Sequence, residues 1–296
     1  MKHIRGNTYY APEGVVIGAY KVENALLLID SGNDDSSARK AIRDFEDIAV
    51  NAVFNTHSHA DHCGGNAFLQ KRFGATIIAP SLEAAFIENP VLEPTYLYGA
   101  APLKALHNKF LMATPSKVNI TLDDTPFDFV LSGEAVHFKT VRLNGHSPNQ
   151  HALITPDDIA FLGDALVSET VVSKHPLIFT YDVTAHLASL ETLKTLQASA
   201  YVIAHGGLYT SISDLIDINK NALLETQMHL HTQIKKGKTS IDKLHSALCD
   251  HYQLTENLNQ HLLNRSVLMA HITALVDAQL CQITSEKGHL LVSPIA

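Results

Sequence analysis

Short apolar runs that end in a turn carrying a histidine or an aspartate recur along the first two thirds of the chain. Two of them end in Leu28-Ile29-Asp30 and Phe161-Leu162-Gly163-Asp164, and a third ends in Ile203-Ala204-His205. Apolar runs of this length are typical of buried strands, and patterns typical of helices lie between several of them. The alternation predicts an α/β fold, in which a rigid sheet holds the polar turns.

The segment 56–62 carries the strongest chemical signal. Its sequence, THSHADH, follows a short predicted strand over 52–54 and contains four potential metal ligands. Residues two apart on an extended backbone project to the same side, so His57 and His59 can bind one metal ion. Asp61 and His62, past the turn, can face a second ion. A chance cluster on a polar loop is the alternative, and it should arise in only roughly one chain in several hundred.

Two more histidines follow predicted strands. His146 lies in the turn Asn144-Gly145-His146-Ser147-Pro148, and His205 precedes Gly206-Gly207. Either one alone would more often be a hydrogen-bonded turn residue. The repeated order of strand, turn and ligand favours a shared metal site instead.

The order of these motifs along the chain resembles that of the metallo-β-lactamase superfamily. The block HxHxDH at 57–62 is highly specific, and Asp30, His146, Asp164 and His205 are weak signals singly but strong in this order. The resemblance covers roughly the first 210 residues. It implies an α/β fold of the αββα sandwich type, with a dinuclear metal site along one edge, and here a mostly helical C-terminal segment follows.

The resemblance also implies a role for each motif residue. It assigns the first metal ion to His57, His59 and His146, the second to Asp61, His62 and His205, the bridging position to Asp164, and the orientation of the ligand loop to Asp30. Two divalent ions are expected, with Zn²⁺ favoured by imidazole and carboxylate ligands and Fe or Mn as alternatives.

Two such ions would acidify a water bridging them and so provide a hydroxide nucleophile for a hydrolase. Asp61 and Asp164 are therefore the catalytic candidates, since Asp61 can also take a proton as the reaction intermediate collapses.

The charge balance bears on the substrate class. The chain has 22 Lys and Arg against 30 Asp and Glu, a net charge of −8, which disfavours nucleic acid and anionic membranes as partners. No apolar run approaches the roughly 20 residues that span a bilayer. We expect a small-molecule substrate, namely a thioester, a lactone or a related ester. A metal-dependent phosphodiesterase or nuclease and a non-catalytic metal-bound regulator remain the alternatives.

Cysteine content indicates the compartment. The three cysteines (Cys63, Cys249 and Cys281) are too few and too scattered for a disulfide framework, which indicates a reducing, cytoplasmic location. Formation of a homo-oligomer stays open.

The stretch 86–115 interrupts the alternating pattern. Four prolines punctuate its apolar sequence, which predicts a lid or binding loop over the metal site. Tyr96 and Tyr98 are predicted substrate contacts on this basis. His175, in the loop after Asp164, is a third one. The alternative for the stretch is packing into the core or a dimer interface.

A boundary near Lys238 divides the chain into a catalytic domain over 1–238 and a C-terminal segment over 239–296. Helices followed by a hairpin give this segment a weak resemblance to a winged helix. It carries three basic against five acidic residues, whereas DNA recognition needs a basic face. Packing or dimerisation is therefore the favoured role.

Overall fold

The computed structural model describes residues 1–12, 14–45, 48–123, 126–255 and 257–295. Over these residues the chain forms two mixed β-sheets packed face to face, with helices on both outer faces, which confirms the predicted αββα sandwich. The first sheet contains, in spatial and chain order, β1 (Lys2–Arg5), β2 (Thr8–Ala11), β3 (Ile17–Val22), β4 (Ala25–Ile29), β5 (Ala49–Phe54), β6 (Thr76–Pro80) and β7 (Ile120–Leu122). Neighbouring strands are antiparallel up to β4 and parallel from β4 to β7.

The second sheet has six strands in the described part of the chain. In chain order these are β8 (Phe127–Leu131), β9 (Glu134–Arg142), β10 (His151–Ile154), β11 (Ile159–Phe161), β12 (Ala200–Ile203) and β13 (Gly207–Tyr209), and they lie in the same order across the sheet. Only the pair β11 and β12 is parallel. Consequently β9, β11 and β12 all run in one direction.

Ten α-helices occur among the described residues. They are α1 (Asp35–Ile42), α2 (Ala60–Cys63), α3 (Asn66–Phe73), α4 (Ser81–Glu88), α5 (Leu92–Tyr98), α6 (Glu169–Lys174), α7 (Val183–Thr195), α8 (Ser213–Lys235), α9 (Ile241–Tyr252) and α10 (Leu258–Asp277). Short 3₁₀ turns lie at Arg43–Phe45 and Lys104–Leu106.

The continuous apolar sequence of β4 follows from burial on both faces. Leu27 and Ile29 face the second sheet and pack with Phe161, whereas Leu26 and Leu28 pack with the helices α1 and α3. A strand covered on both sides has no position for a polar residue, which is why it reads as an unbroken apolar run. Burying each such side chain contributes about 1.5–3 kcal/mol.

The stretch 86–115 differs from the predicted loop. It contains the end of α4, the helix α5 and a 3₁₀ turn. Pro94 lies in the first turn of α5, where a missing N–H group breaks no helical hydrogen bond. Leu97, Leu106 and Leu111 pack with Leu262 of α10, so this stretch is held against the C-terminal segment.

The long helix α8 belongs to two apolar cores. Its first half, with Leu215 and Leu223, packs under the second sheet, and its second half, with Leu230 and Ile234, packs with α9 and α10. A small sheet of β14 (Thr239–Ser240), β15 (Cys281–Glu286) and β16 (His289–Pro294) completes the C-terminal segment in the order β14-β16-β15. The expected helices and hairpin are thus present, with one additional short strand.

Residues 256 and 296 of that segment lie outside the described residues. None of the helices in the described ranges has both the length and the apolar character needed to cross a bilayer.

Candidate metal centre

The predicted ligands come together at one edge of the sandwich. Asp30 directly follows β4, and the segment 56–62 follows β5, which is parallel to β4. In the second sheet, His146, Asp164 and His205 follow β9, β11 and β12, which share one direction. The carboxyl ends of strands that run the same way meet at the same edge, so residues distant in sequence become neighbours.

Seven side chains form overlapping groups within this cluster. Ligand atoms lie within 4.8 Å of one another in each of three sets: His57, His59 and His146; Asp61, His62 and His205; and His57, His62 and Asp164. Asp164 lies between the first two sets. Its Oδ2 is 3.5 Å from Nε2 of His146 and 3.2 Å from Nε2 of His205, and its Oδ1 is 3.4 Å from Nε2 of His62.

Hydrogen bonds orient the histidine rings towards the centre of the cluster. Nδ1 of His62 bonds to Oδ2 of Asp30 at 2.8 Å, and Nδ1 of His146 bonds to the carbonyl oxygen of Phe179 at 3.2 Å. Nδ1 of His57 lies 3.1 Å from Oγ1 of Thr56, which itself donates to Asp30. In each ring Nε2 is left to face the other ligands, as in metal sites where an outer partner holds the imidazole.

The buried nitrogen and oxygen atoms of the cluster are better arranged to bind a metal ion than to form hydrogen bonds with one another. Nε2 of His62 and Oδ1 of Asp164 are buried and make no hydrogen bond to a described residue. Nε2 of His146 and Nδ1 of His59 face each other at 2.9 Å. Burial also lowers the pKa of His57 well below its usual value and that of His146 to about 3, so both rings are neutral, as metal ligands must be.

The carboxylates and the other histidines shift one another's pKa values. Burial would raise the pKa of Asp164, but His205 and His62 outweigh it and hold that pKa well below its usual value. Burial also opposes ionisation of Asp61, whose pKa His62 and His205 hold at about 2. Asp164 in turn raises the pKa of His205 to about 10. The ionised carboxylates therefore favour a cation among them, either a proton on an imidazole or a metal ion.

A cavity of about 520 Å³ opens beside both ligand groups. Besides ligands, its wall is mostly apolar and includes Phe110, Leu111, Val167, Val171, Leu177, Ile178, Phe179, Leu263 and Val267, with Glu93, His175, Gln260 and Asn264 as polar members. A larger open groove of about 850 Å³ runs along α1 and touches the cluster only at Asp61. The smaller cavity is the better substrate site because ligands of both groups line it.

The sequence profile of the metallo-beta-lactamase superfamily matches residues 11–205. The chain belongs to this superfamily. Among curated proteins, none matches it significantly.

Solved structures of the superfamily share the fold at low sequence identity. A metallo-beta-lactamase family protein from Thermus thermophilus is 17% identical, with 98% of this chain and 99% of that chain aligned at a TM-score of 0.73. A beta-lactamase domain protein from Burkholderia ambifaria is 15% identical over 98% and 91% of the two chains, with a TM-score of 0.72. A beta-lactamase from Chitinophaga pinensis is 17% identical over 77% and 91%, with a TM-score of 0.56.

Asp30 is hydrogen-bonded to the segment that carries the HxHxDH motif. The residue is 2% exposed, and its carboxylate accepts hydrogen bonds from N–H and Oγ1–H of Thr56, at 2.8 and 2.9 Å, as well as from His62. It thereby connects both ends of the HxHxDH segment.

Glu83 is a site residue that sequence analysis missed. It lies on α4, is fully buried, and accepts hydrogen bonds from N–H and Oγ–H of Ser58. It also accepts from Oγ–H of Ser147 at 2.8 Å and from N–H of Asn149 at 2.7 Å. The loops that carry His59 and His146 are therefore joined through one carboxylate. The available signal was a charged residue inside the apolar helix sequence SLEAAFIE.

Only one of the three predicted substrate contacts lies among the residues that line the cavity. His175 lines the cavity, whereas Tyr96 and Tyr98 are not among its lining residues. Tyr96 packs edge-on against Phe86, with ring centroids 6.0 Å apart. The residue of α5 that does line the cavity is Glu93.

The C-terminal segment supplies one wall of the cavity, which sequence analysis did not predict. Gln260, Leu263, Asn264 and Val267 of α10 face the cavity that the metal cluster adjoins. No local pattern in the helix indicates this contact, since it depends on how α10 packs on the catalytic part.

Proposed function

We propose that the protein is a dinuclear metal-dependent hydrolase. The observation that carries the proposal is the division of seven ligand side chains into two groups with Asp164 between them. His57, His59 and His146 would hold the first ion and Asp61, His62 and His205 the second, with Asp164 shared. The mixture of imidazole and carboxylate donors favours Zn²⁺, with Fe and Mn as alternatives.

Two divalent ions supply, when bound, a water acidified towards hydroxide and an electrophile that polarises the bond under attack. The residues of this chain hold that arrangement in place. Asp30 and Glu83 fix the ligand loops, and the apolar cavity wall excludes water from the substrate. The Asp61 carboxylate, which lines the cavity, would take up a proton as the leaving group departs.

The cavity lining supports a carbonyl substrate: a thioester, a lactone or a related ester. Nine apolar side chains surround the site, and none of the described lining residues is Lys or Arg. Away from His205 and the proposed metal ions, a phosphodiester or polyphosphate would place further negative charges in this wall without a Lys or Arg side chain to pair with them. The lining therefore favours esters over the phosphodiesterase alternative. A reducing compartment is consistent with three cysteines that are all free.

The test combines metal analysis with a substrate panel. We expect two ions per chain after loading with Zn²⁺, and turnover of at least one thioester, lactone or ester but not of a β-lactam or phosphodiester. His62→Ala should lower the metal content towards one ion, because it removes a ligand of the second group only. His289→Ala, on the exposed strand β16, is the matched control and should keep both ions.

At most one ion in the loaded wild-type protein would contradict the dinuclear proposal. Two ions together with hydrolysis of the phosphodiester alone would replace the ester proposal by the nuclease alternative. Two ions without turnover of any panel member would favour the regulator.

A further inference from the structure

Two buried polar side chains line the cavity without a partner among the described residues. Glu93 of α5 and Asn264 of α10 are each only 8% exposed, and neither side chain makes a hydrogen bond or an ion pair with a described residue. The exposed remainder of each residue contributes to the cavity surface. They come from segments about 170 residues apart in sequence, which meet where Leu97 and Leu111 pack with Leu262.

A polar group buried without a partner destabilises a fold by about 1–3 kcal/mol. At a cavity wall the same group is available to a bound molecule, and one such group excludes ligands that leave it unpaired. Glu93 and Asn264 share the cavity wall with apolar residues such as Phe110, Leu263 and Val267. A purely apolar substrate would fill this cavity and leave both groups without hydrogen bonds.

The charge of the cavity restricts what Glu93 can bind. Asp61 and Glu83 are close enough to add to the effect of burial and raise the pKa of Glu93 well above its usual value. The described lining holds no Lys or Arg, so away from His205 and the proposed metal ions no cationic side chain would balance an anionic group of a substrate. A carboxyl group accepts a hydrogen bond through an oxygen whether or not it carries a proton. An O–H or N–H group of the substrate therefore suits this position.

We propose that the cavity selects acyl substrates with an apolar body and a hydrogen-bond donor, which Glu93 accepts, and that the Asn264 amide forms a further hydrogen bond with the substrate. The donor is a hydroxyl, an amide N–H or an ammonium group. A carboxylate at this position is disfavoured. The inference rests on the proposed hydrolase function, since it places the reacting carbonyl at the metal ligands and the donor at the α5–α10 side.

Binding of analogues that cannot be hydrolysed tests the inference separately from catalysis. Methyl ketones of one medium chain length serve as probes, with an unsubstituted chain or one carrying a hydroxyl, an amino or a carboxylate group. Isothermal titration calorimetry with the Zn²⁺-loaded full chain measures each Kd. We expect the hydroxyl or the amino ketone to bind at least about tenfold more tightly than the unsubstituted one, and the carboxylate ketone to bind most weakly.

Variants then locate the preference. Glu93→Leu should reduce the ratio of the Kd of the unsubstituted ketone to the Kd of the hydroxyl or amino ketone to near one. Asn264→Leu should reduce the same ratio in part. Glu93→Gln, which keeps an acceptor oxygen without a charge, should retain a preference for the hydroxyl ketone. Glu134→Leu, at an exposed position of β9, is the matched control and should keep the wild-type ratio. Circular dichroism and metal content verify that each variant is folded and loaded.

Equal Kd values for the substituted and unsubstituted ketones in the wild-type protein would overturn the inference, as would a wild-type ratio in folded Glu93→Leu. The corresponding thioesters are assayed in parallel for kcat/KM. Absence of their turnover with the ketone preference intact would contradict the hydrolase proposal and leave the cavity selectivity standing.

Discussion

His271 is a buried histidine without a hydrogen-bond partner, and it should make stability depend on pH. It lies on α10, is 1% exposed, and neither ring nitrogen bonds to a described residue. Its neighbours Ala270 and Ala274 pack with Val183 of α7. Burial, with a smaller contribution from His186, lowers the pKa of His271 to about 4 from the usual 6.5.

The size of the effect follows from the two pKa values. Above pH 6.5 the ring is neutral in the folded and the unfolded chain, so it gives no dependence on pH. Between pH 6.5 and 4 only the unfolded chain binds the proton, so the free energy of unfolding falls as the pH falls. The difference of 2.5 between the two pKa values limits the loss in the free energy of unfolding to about 3 kcal/mol. About 2 kcal/mol of this is already lost at pH 5.

The substitution His271→Leu removes the titrating group and keeps a side chain of similar volume. We expect the variant to be at least as stable as wild type at pH 8, because two unpartnered nitrogens are replaced by apolar atoms. Between pH 8 and pH 5 it should lose about 2 kcal/mol less than wild type. Urea unfolding of the Zn²⁺-loaded proteins at both pH values, followed by circular dichroism, measures this difference. His289→Leu, at an exposed position, is the matched control.

Other groups also titrate in this range, and the metal ligands are among them. Their contribution is shared by wild type and variant, so it cancels in the comparison. An equal loss of stability in wild type and His271→Leu would refute the assignment of this pH dependence to His271. A large loss of stability at pH 8 would show that the ring makes a favourable contact in the fold.

Four further outcomes are expected. Asp164→Asn should abolish turnover with an unchanged circular dichroism spectrum, because a neutral amide is a poor shared ligand; wild-type kcat with full metal content would contradict this. Asp30→Asn should weaken metal binding by about 10- to 100-fold in a chelator competition assay, since it loosens Thr56 and His62. Glu83→Ala should lower the free energy of unfolding by about 3 kcal/mol or more in urea titrations, because it leaves several buried donors unpaired. Duplex RNA should not bind below about 1 µM at physiological salt in a filter-binding assay, given the net charge of −8.

The strands and the ligand motif could be predicted from the sequence because their signals are local. The apolar run that ends in Leu28-Ile29 predicts a buried strand, and it forms β4. Helix α3 ends at Phe73, directly before Gly74, whose left-handed φ of 70° glycine adopts without strain. The short spacing of HxHxDH and its place after a strand were sufficient to predict that its side chains converge.

The remaining features depend on contacts between distant segments. Glu83 becomes a site residue only because α4 packs beneath the loops that follow β5 and β9. Pro94 suggested an irregular stretch, although proline is compatible with the first turn of a helix. The cavity wall from α10 requires the docking of a C-terminal helix on α5 and α7, and no periodicity within either helix encodes that docking.

The wall formed by α10 also has a consequence for synthesis of the chain. All seven proposed ligands lie between His57 and His205, and Asn264 follows His205 by about 60 residues, which a ribosome adds in roughly 3 to 12 s. The two sheets can pack, and the ligands can gather, before α10 has been made. Under the proposed function, the nascent protein can therefore acquire metal ions while its cavity still lacks one side, so that substrate selectivity is the last property to arise.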